Sequence, residues 1–176
     1  MRVGGGSQKG AAWEREACRR LSLWITKGER DDLLWRTAMS GGRATIQFRK
    51  GLINKSQVGD IGAIDAIGER LLLRHVVIEC KFRRKVDLAL GILRQRGLLW
   101  KWWAKACSEA TTAARQPMMI VRENNTPTLL LITMEGAKRL HILGHGYLFR
   151  LRAWPSEPLV MLFDDVVPLL PKRSKV

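Results

Sequence analysis

Apolar positions recur along this chain with two different periods. From about Ala11 to Thr26, Ala17, Cys18, Leu21, Trp24 and Ile25 fall within one arc at about 100° per residue, which predicts an amphipathic helix. Gly28 to Asp32 read as a turn and Leu33 to Ala38 as a short strand or the lead into one. Val58 to Ile67 reads as a strand, Gly68-Glu69-Arg70 as a hairpin turn, and Leu71 to Phe82 as the strongest strand in the chain. The near-continuous apolar character of Leu71 to Phe82 predicts burial on both faces. A long helical pattern follows over Leu88 to Ala114, weakened by Gly91 and Gly97 and stopped by Pro117. Met118 to Arg122 and Thr128 to Met134 read as strands, Glu135 to Leu143 as a helix, and Tyr147 to Arg152 and Leu159 to Phe163 as edge strands. Three polar stretches punctuate this pattern: a glycine-rich arm at 1–10, a basic loop at 39–57 and a basic tail at 171–176. With no repeat and no linker, residues 1–176 read as a single domain of the α/β class, strands flanked by an early and a mid-chain helix.

Charge narrows the function. Lysine and arginine number 31 against 16 acids, a formal charge of +15, while 46% of residues are hydrophobic. A folded protein this basic repels itself, and the excess points to a polyanion, nucleic acid first. A membrane-surface role would need a long basic amphipathic helix, whereas here the charge is spread along the chain. No apolar run approaches the ~20 residues of a membrane span, and no apolar leader opens the chain, so a cytoplasmic setting is expected. Bacterial, archaeal and viral origins look alike from sequence. Cys18, Cys80 and Cys107 are scattered and form no CxxC, which excludes a zinc ribbon and argues against a disulfide framework.

Three short runs carry the candidate chemistry. In Glu79-Cys80-Lys81, strand alternation puts Glu79 and Lys81 on one face and Cys80 on the other. If the two strands pair about residues 68–70, Asp60 and Glu79, about nine residues to either side, face each other with Cβ atoms ~5 Å apart. Two facing carboxylates repel unless a hard divalent cation lies between them, and magnesium takes such oxygen ligands. Lys81 would then orient the attacking water and offset charge on the phosphate. On the first helix, Glu14 lies in the middle of the apolar arc and faces inward. Glu16 falls on the opposite side, within reach of Arg19 and Arg20 as a surface ion pair. Asp65 falls on the strand face opposite Asp60, and Asp164-Asp165 reads as a turn or helix cap. Trp100, Trp102 and Trp103 read as an aromatic face packed on the sheet or on a dimer mate, with Lys101 and Lys105 beside them spaced to track a phosphate strand.

Taken in order, Lys9-Gly10-Ala11 with Glu14-Arg15-Glu16, Ser40-Gly41-Gly42, Gly59-Asp60 and Ile78-Glu79-Cys80-Lys81 resemble the PD-(D/E)xK nuclease superfamily. Over about residues 7–85 the resemblance is greatest to archaeal-type Holliday junction resolvases. It implies a restriction-endonuclease-like central mixed sheet flanked by helices, phosphodiester hydrolysis with one or two magnesium ions (manganese able to substitute), and a homodimer serving DNA recombination and repair. By position Glu14 matches the helix acid, Asp60 and Glu79 the metal ligands, Lys81 the catalytic lysine, Ser40 a serine near the active site, and Arg15 a basic residue beside the helix acid. The Cys80 carbonyl and Glu14 would join the metal ligands. Lys9, Arg15, Arg43, Arg49, Lys50, Lys55, Arg83, Arg84 and Lys85 would neutralise DNA phosphates. Gly59 replaces the motif's proline, and an insertion over about Arg43 to Gln57 lengthens the loop before Asp60. Other DNA nucleases of the superfamily (nicking, restriction or processing enzymes) and a non-catalytic DNA-binding module are the competing readings.

Overall fold

The computed structural model of the chain describes residues 5–37, 58–94 and 96–169. Helix α1 spans Gly5–Ile25, and strands β1 (Leu34–Arg36) and β2 (Ile61–Ala63) pair antiparallel, Leu34 opposite Ala63. A single turn, α2 (Ala66–Gly68), runs into a π-helical turn over Glu69–Leu73. Strand β3 (Val76–Arg83), helices α3 (Leu88–Arg94) and α4 (Leu98–Thr112) and strand β4 (Gln116–Glu123) follow. Then come β5 (Leu129–Ile132), α5 (Met134–Arg139), β6 (Phe149–Arg150), β7 (Leu159–Leu162) and α6 (Phe163–Val166). The main sheet has the order β3-β4-β5-β7-β6. Only its β3–β4 pair is parallel, so the sheet is mixed. The α3–α4 connection makes the crossover a parallel pair requires.

Two apolar layers hold the sheet. On one face Trp13, Ala17, Cys18 and Leu21 of α1 pack against Ile78 and Cys80 of β3 and Met118 and Ile120 of β4. On the other, Leu99 and Trp103 of α4 pack against Met119, Val121, Leu131 and Val160. Trp103 is fully buried and its indole N–H donates to the Pro155 carbonyl at 2.7 Å, whereas Trp100 and Trp102 are partly covered. Strand β3 thus alternates between the layers: Val76, Ile78 and Cys80 meet α1, while Val77 meets Ala110 and Ala113 near the end of α4. The two-sided burial expected of this strand is what its sequence encodes.

Four elements differ from the sequence pattern. The hairpin about residues 68–70 does not form, and β2 pairs with β1 instead. The Asp65 carboxylate accepts the N–H groups of Ile67 (2.9 Å) and Gly68 (3.1 Å) and so caps a helical segment where a strand is expected. Leu72 and Leu73 then enter the α1-side core, while Ile64, Ile67 and Leu71 stay exposed. Helix α1 begins at Gly5 and takes in much of the glycine-rich arm. The 88–114 pattern is two helices, with Gly97 at φ +93° starting the second. Strand β7 is an interior strand between β5 and β6, and β6 alone forms that edge.

Candidate active site

Strand β3 carries two charges into the layer beneath α4. Glu79 is 2% exposed, and its chain neighbours Ile78 and Cys80 point into the opposite core. Asp60, 3% exposed, arrives from the segment just before β2. Its N–H donates to the Ile78 carbonyl (2.8 Å), and its Oδ2 accepts the Cys80 N–H (2.8 Å). On its other side the Thr37 N–H donates to the Asp60 carbonyl (3.0 Å), and the Thr37 hydroxyl donates to the Gly59 carbonyl (2.8 Å). Asp60 is therefore stitched between the end of β1 and β3. Gly59 makes this approach possible. Its φ is +97°, and a Cβ there would lie 2.8 Å from the Ile78 carbonyl oxygen and 3.0 Å from Val77 Cγ1. Proline, fixed near −65°, has no access to that conformation, which accounts for the departure from the motif.

Lys81 closes the arrangement. Its Nζ lies 2.9 Å from Asp60 Oδ2 and also contacts Glu79 Oε2 directly. Burial pushes the Asp60 carboxyl above its ordinary range, and the Glu79 charge adds to this against the pull of Lys81. Burial likewise raises Glu79. Burial opposes the Lys81 ammonium, but Glu79 and Asp60 outweigh it and hold its pKa above the usual lysine value. One ammonium thus bridges two carboxylates drawn from two segments and offsets half of their charge.

A third acid approaches from α1. Glu14 is only 13% exposed at its side chain and forms an ion pair with Arg36 of β1. Burial raises its carboxyl, Arg36 lowers it, and the Asp60 charge raises it further, so the two acids lie within each other's field. Glu16 pairs instead with Arg19 at 3.3 Å on the outer face of the helix.

A family model described as "Phage putative PDDEXK endonuclease" matches residues 5–143. The chain belongs to this family. The match takes in Glu14, Gly59-Asp60 and Glu79-Cys80-Lys81, and the mixed sheet flanked by helices is the restriction-endonuclease-like fold expected of a PDDEXK endonuclease. No curated protein and no solved structure matches the chain, so the finer likeness to junction resolvases stands on the sequence motifs alone.

Other expected residues of this PDDEXK endonuclease fall in several places. The Cys80 thiol is buried on the α1 side, where burial holds its pKa far above the ordinary thiol value, and its backbone N–H serves Asp60. Lys9 and Arg15 are exposed on α1, and Arg83, Arg84 and Lys85 are exposed where β3 ends. Ser40, Arg43, Arg49, Lys50 and Lys55 lie outside the described residues. Asp65 pairs with Arg30 at 3.0 Å, and Asp164 pairs with Arg20 at 2.7 Å. Among the described residues no group of three or more His, Cys, Asp or Glu side chains is gathered closely enough to hold a metal ion. Lys81 lies between two of the acids, and Arg36 engages the third.

Three residues of the site escape the motif reading. Arg36 is the partner of Glu14. Lys105 and Glu109 of α4 form an ion pair at 3.0 Å, and Lys105 Nζ also comes within 3.9 Å of Glu79 Oε2. The Glu109 carboxylate lies within the field of Glu79 and adds to the upward push on it. The helical phase that singles out Glu14 also puts Glu109 at the edge of the apolar arc of Leu99, Trp103, Ala106 and Ala110.

Proposed function

We propose that this PDDEXK endonuclease hydrolyses DNA phosphodiester bonds with magnesium held by Asp60 and Glu79. The observation that carries the reading is the Lys81 ammonium in contact with both buried carboxylates. A cation is required there, and the donors are all carboxylate oxygen, the set that a hard divalent ion prefers. Glu14 and the Cys80 carbonyl complete the oxygen donors in this reading. When bound, magnesium supplies positive charge to the phosphate oxygens and acidifies the attacking water. With the metal between Asp60 and Glu79, Lys81 would move off them to orient that water and offset charge growing on the phosphate. The Cys80 N–H fixes Asp60 Oδ2, and Gly59 fixes the backbone that carries it. Arg15, Arg83, Arg84 and Lys85 add exposed charge for the DNA backbone, in keeping with the +15 of the whole chain. Ser40 and the basic residues Arg43, Arg49, Lys50 and Lys55 belong to this reading through sequence alone.

The test is cleavage of labelled linear duplex, single-stranded DNA and a four-way junction, each with magnesium, manganese or EDTA. Wild type should cut in either metal and not in EDTA, and Asp60→Asn should cut at least ~10²-fold more slowly. Symmetric nicking of the junction with linear duplex spared, by a protein that sediments as a dimer, would establish the junction-resolving homodimer. A wild type that binds DNA yet cuts nothing in either metal would make the chain a binding module and overturn the proposal.

A further inference from the structure

Three groups around Glu79 grade from buried to open. Glu79 is 3% exposed at its side chain, Lys81 22% and Lys105 45%. Lys81 is committed to both carboxylates. Lys105 is anchored to Glu109 at 3.0 Å and stands off Glu79 at 3.9 Å, the outer limit of an ion pair. An exposed lysine and a glutamate four residues apart usually form a weak helix-surface pair. This pair differs because Glu109 is only 10% exposed and the lysine it holds also reaches within 3.9 Å of Glu79, so the helix acid faces the site and directs the ammonium to its rim. Along α4, Lys101, Lys105, Ser108 and Thr112 are all exposed and share one face by helical phase. That face carries hydrogen-bond donors, and the single acid beside it, Glu109, is turned inward.

We propose that Lys105 is a phosphate-binding residue of this site, aimed by Glu109, and that the DNA strand being cut runs along the Lys101–Lys105 face of α4. The inference rests on the nuclease reading above. Lys105 is the more loosely held of the two cations at Glu79 and the more exposed. Its ammonium has three donors, and an incoming phosphate can take one that Glu109 leaves. Glu109 is a positioning residue: it acts on DNA only through Lys105 and Glu79.

The experiment is fluorescence anisotropy of a labelled duplex in EDTA over a salt series, with kinetics in magnesium. Lys105→Ala should weaken binding severalfold and reduce the slope of log K against log salt by about 0.9, the share of one phosphate contact. In magnesium its KM should rise with kcat little changed. Lys105→Arg should restore the slope, and Lys138→Ala, an exposed lysine on α5, should leave it unchanged. Should Lys105→Ala melt early, Lys105→Gln, which keeps the side-chain length, carries the same comparison. A wild type that binds and cuts, with variants of unchanged slope and KM, overturns the role of Lys105 and leaves the nuclease reading standing. A wild type that neither binds nor cuts removes the nuclease reading and this inference with it.

Discussion

Replacing Lys81 with alanine removes the ammonium that, among the described residues, contacts both Asp60 and Glu79. Taking one partner from a buried ion pair costs about 3–5 kcal/mol, because the charges left behind remain desolvated. Lys81 keeps 22% of its side chain exposed, so the lower end, about 3 kcal/mol, is the expectation at neutral pH. For a domain of this size that lowers the melting temperature by roughly 6–12 °C. The loss should depend on pH in a definite sense. Asp60 and Glu79 are already raised, so the folded protein binds their protons more tightly than the unfolded chain. Their contribution is fully present below the ordinary carboxylate values of about 4 and is lost as pH rises through the raised folded values. Without Lys81 those values climb further, so the deficit against wild type should be small near pH 4.5 and largest near pH 8. Magnesium should recover more stability in the variant than in wild type, up to about 2.7 kcal/mol at a hundred times its dissociation constant. Calorimetry at pH 4.5 and 8, with EDTA and with magnesium, reads all of this. A variant that melts within about 1 °C of wild type at pH 8 in EDTA, or whose deficit grows as pH falls, would refute the reasoning.

Two further outcomes follow from neighbouring contacts. Gly59→Ala should destabilise by more than about 1 kcal/mol in urea titration and slow cleavage by displacing Asp60, since alanine is strained at positive φ and its Cβ meets the Ile78 carbonyl. A wild-type midpoint would remove the glycine from the account of the site. Arg36→Ala removes the cation that holds the Glu14 carboxyl down, so Glu14 moves further up and the variant loses stability relative to wild type as pH rises through that value. Adding Glu14→Gln should abolish this pH dependence, and its persistence in the double variant would assign it elsewhere.

The features legible in the sequence are those that one element settles by itself. Strand period fixes Glu79 and Lys81 on one face with Cys80 on the other, and β3 follows it. Helical period puts Glu14 and Glu16 on different sides of α1, and Glu14 pairs with Arg36 of β1 while Glu16 pairs with Arg19 of its own helix. The pairing of Asp60 with Glu79 is expected from a hairpin that does not exist. The two acids meet instead because the Asp60 carboxylate takes a β3 backbone N–H, a contact that counting residues from a turn does not encode. The hairpin fails at Asp65, whose short side chain caps a helical turn inside a run that alternates like a strand. Arg36 and Glu109 were out of reach for a different reason, and Lys105 was legible only as a lysine spaced to follow a phosphate strand, not as a neighbour of Glu79. Each matters through a partner on another element, and only the packing of α1 on β1 and of α4 on β3 brings them together.

Under the magnesium reading, the Lys81 ammonium would bear on which ions the site admits. It is a counter-ion attached to the chain, present at a high effective concentration beside Asp60 and Glu79 whatever the surrounding salt. A sodium or potassium ion entering there would exchange one unit of charge for another and lose its hydration shell in doing so. Under the magnesium reading, a doubly charged ion would gain twice the attraction for a comparable displacement, and the lysine would act as a valence threshold. The same tether offsets one of the two carboxylate charges as the chain folds, so Asp60 and Glu79 are held together without a metal.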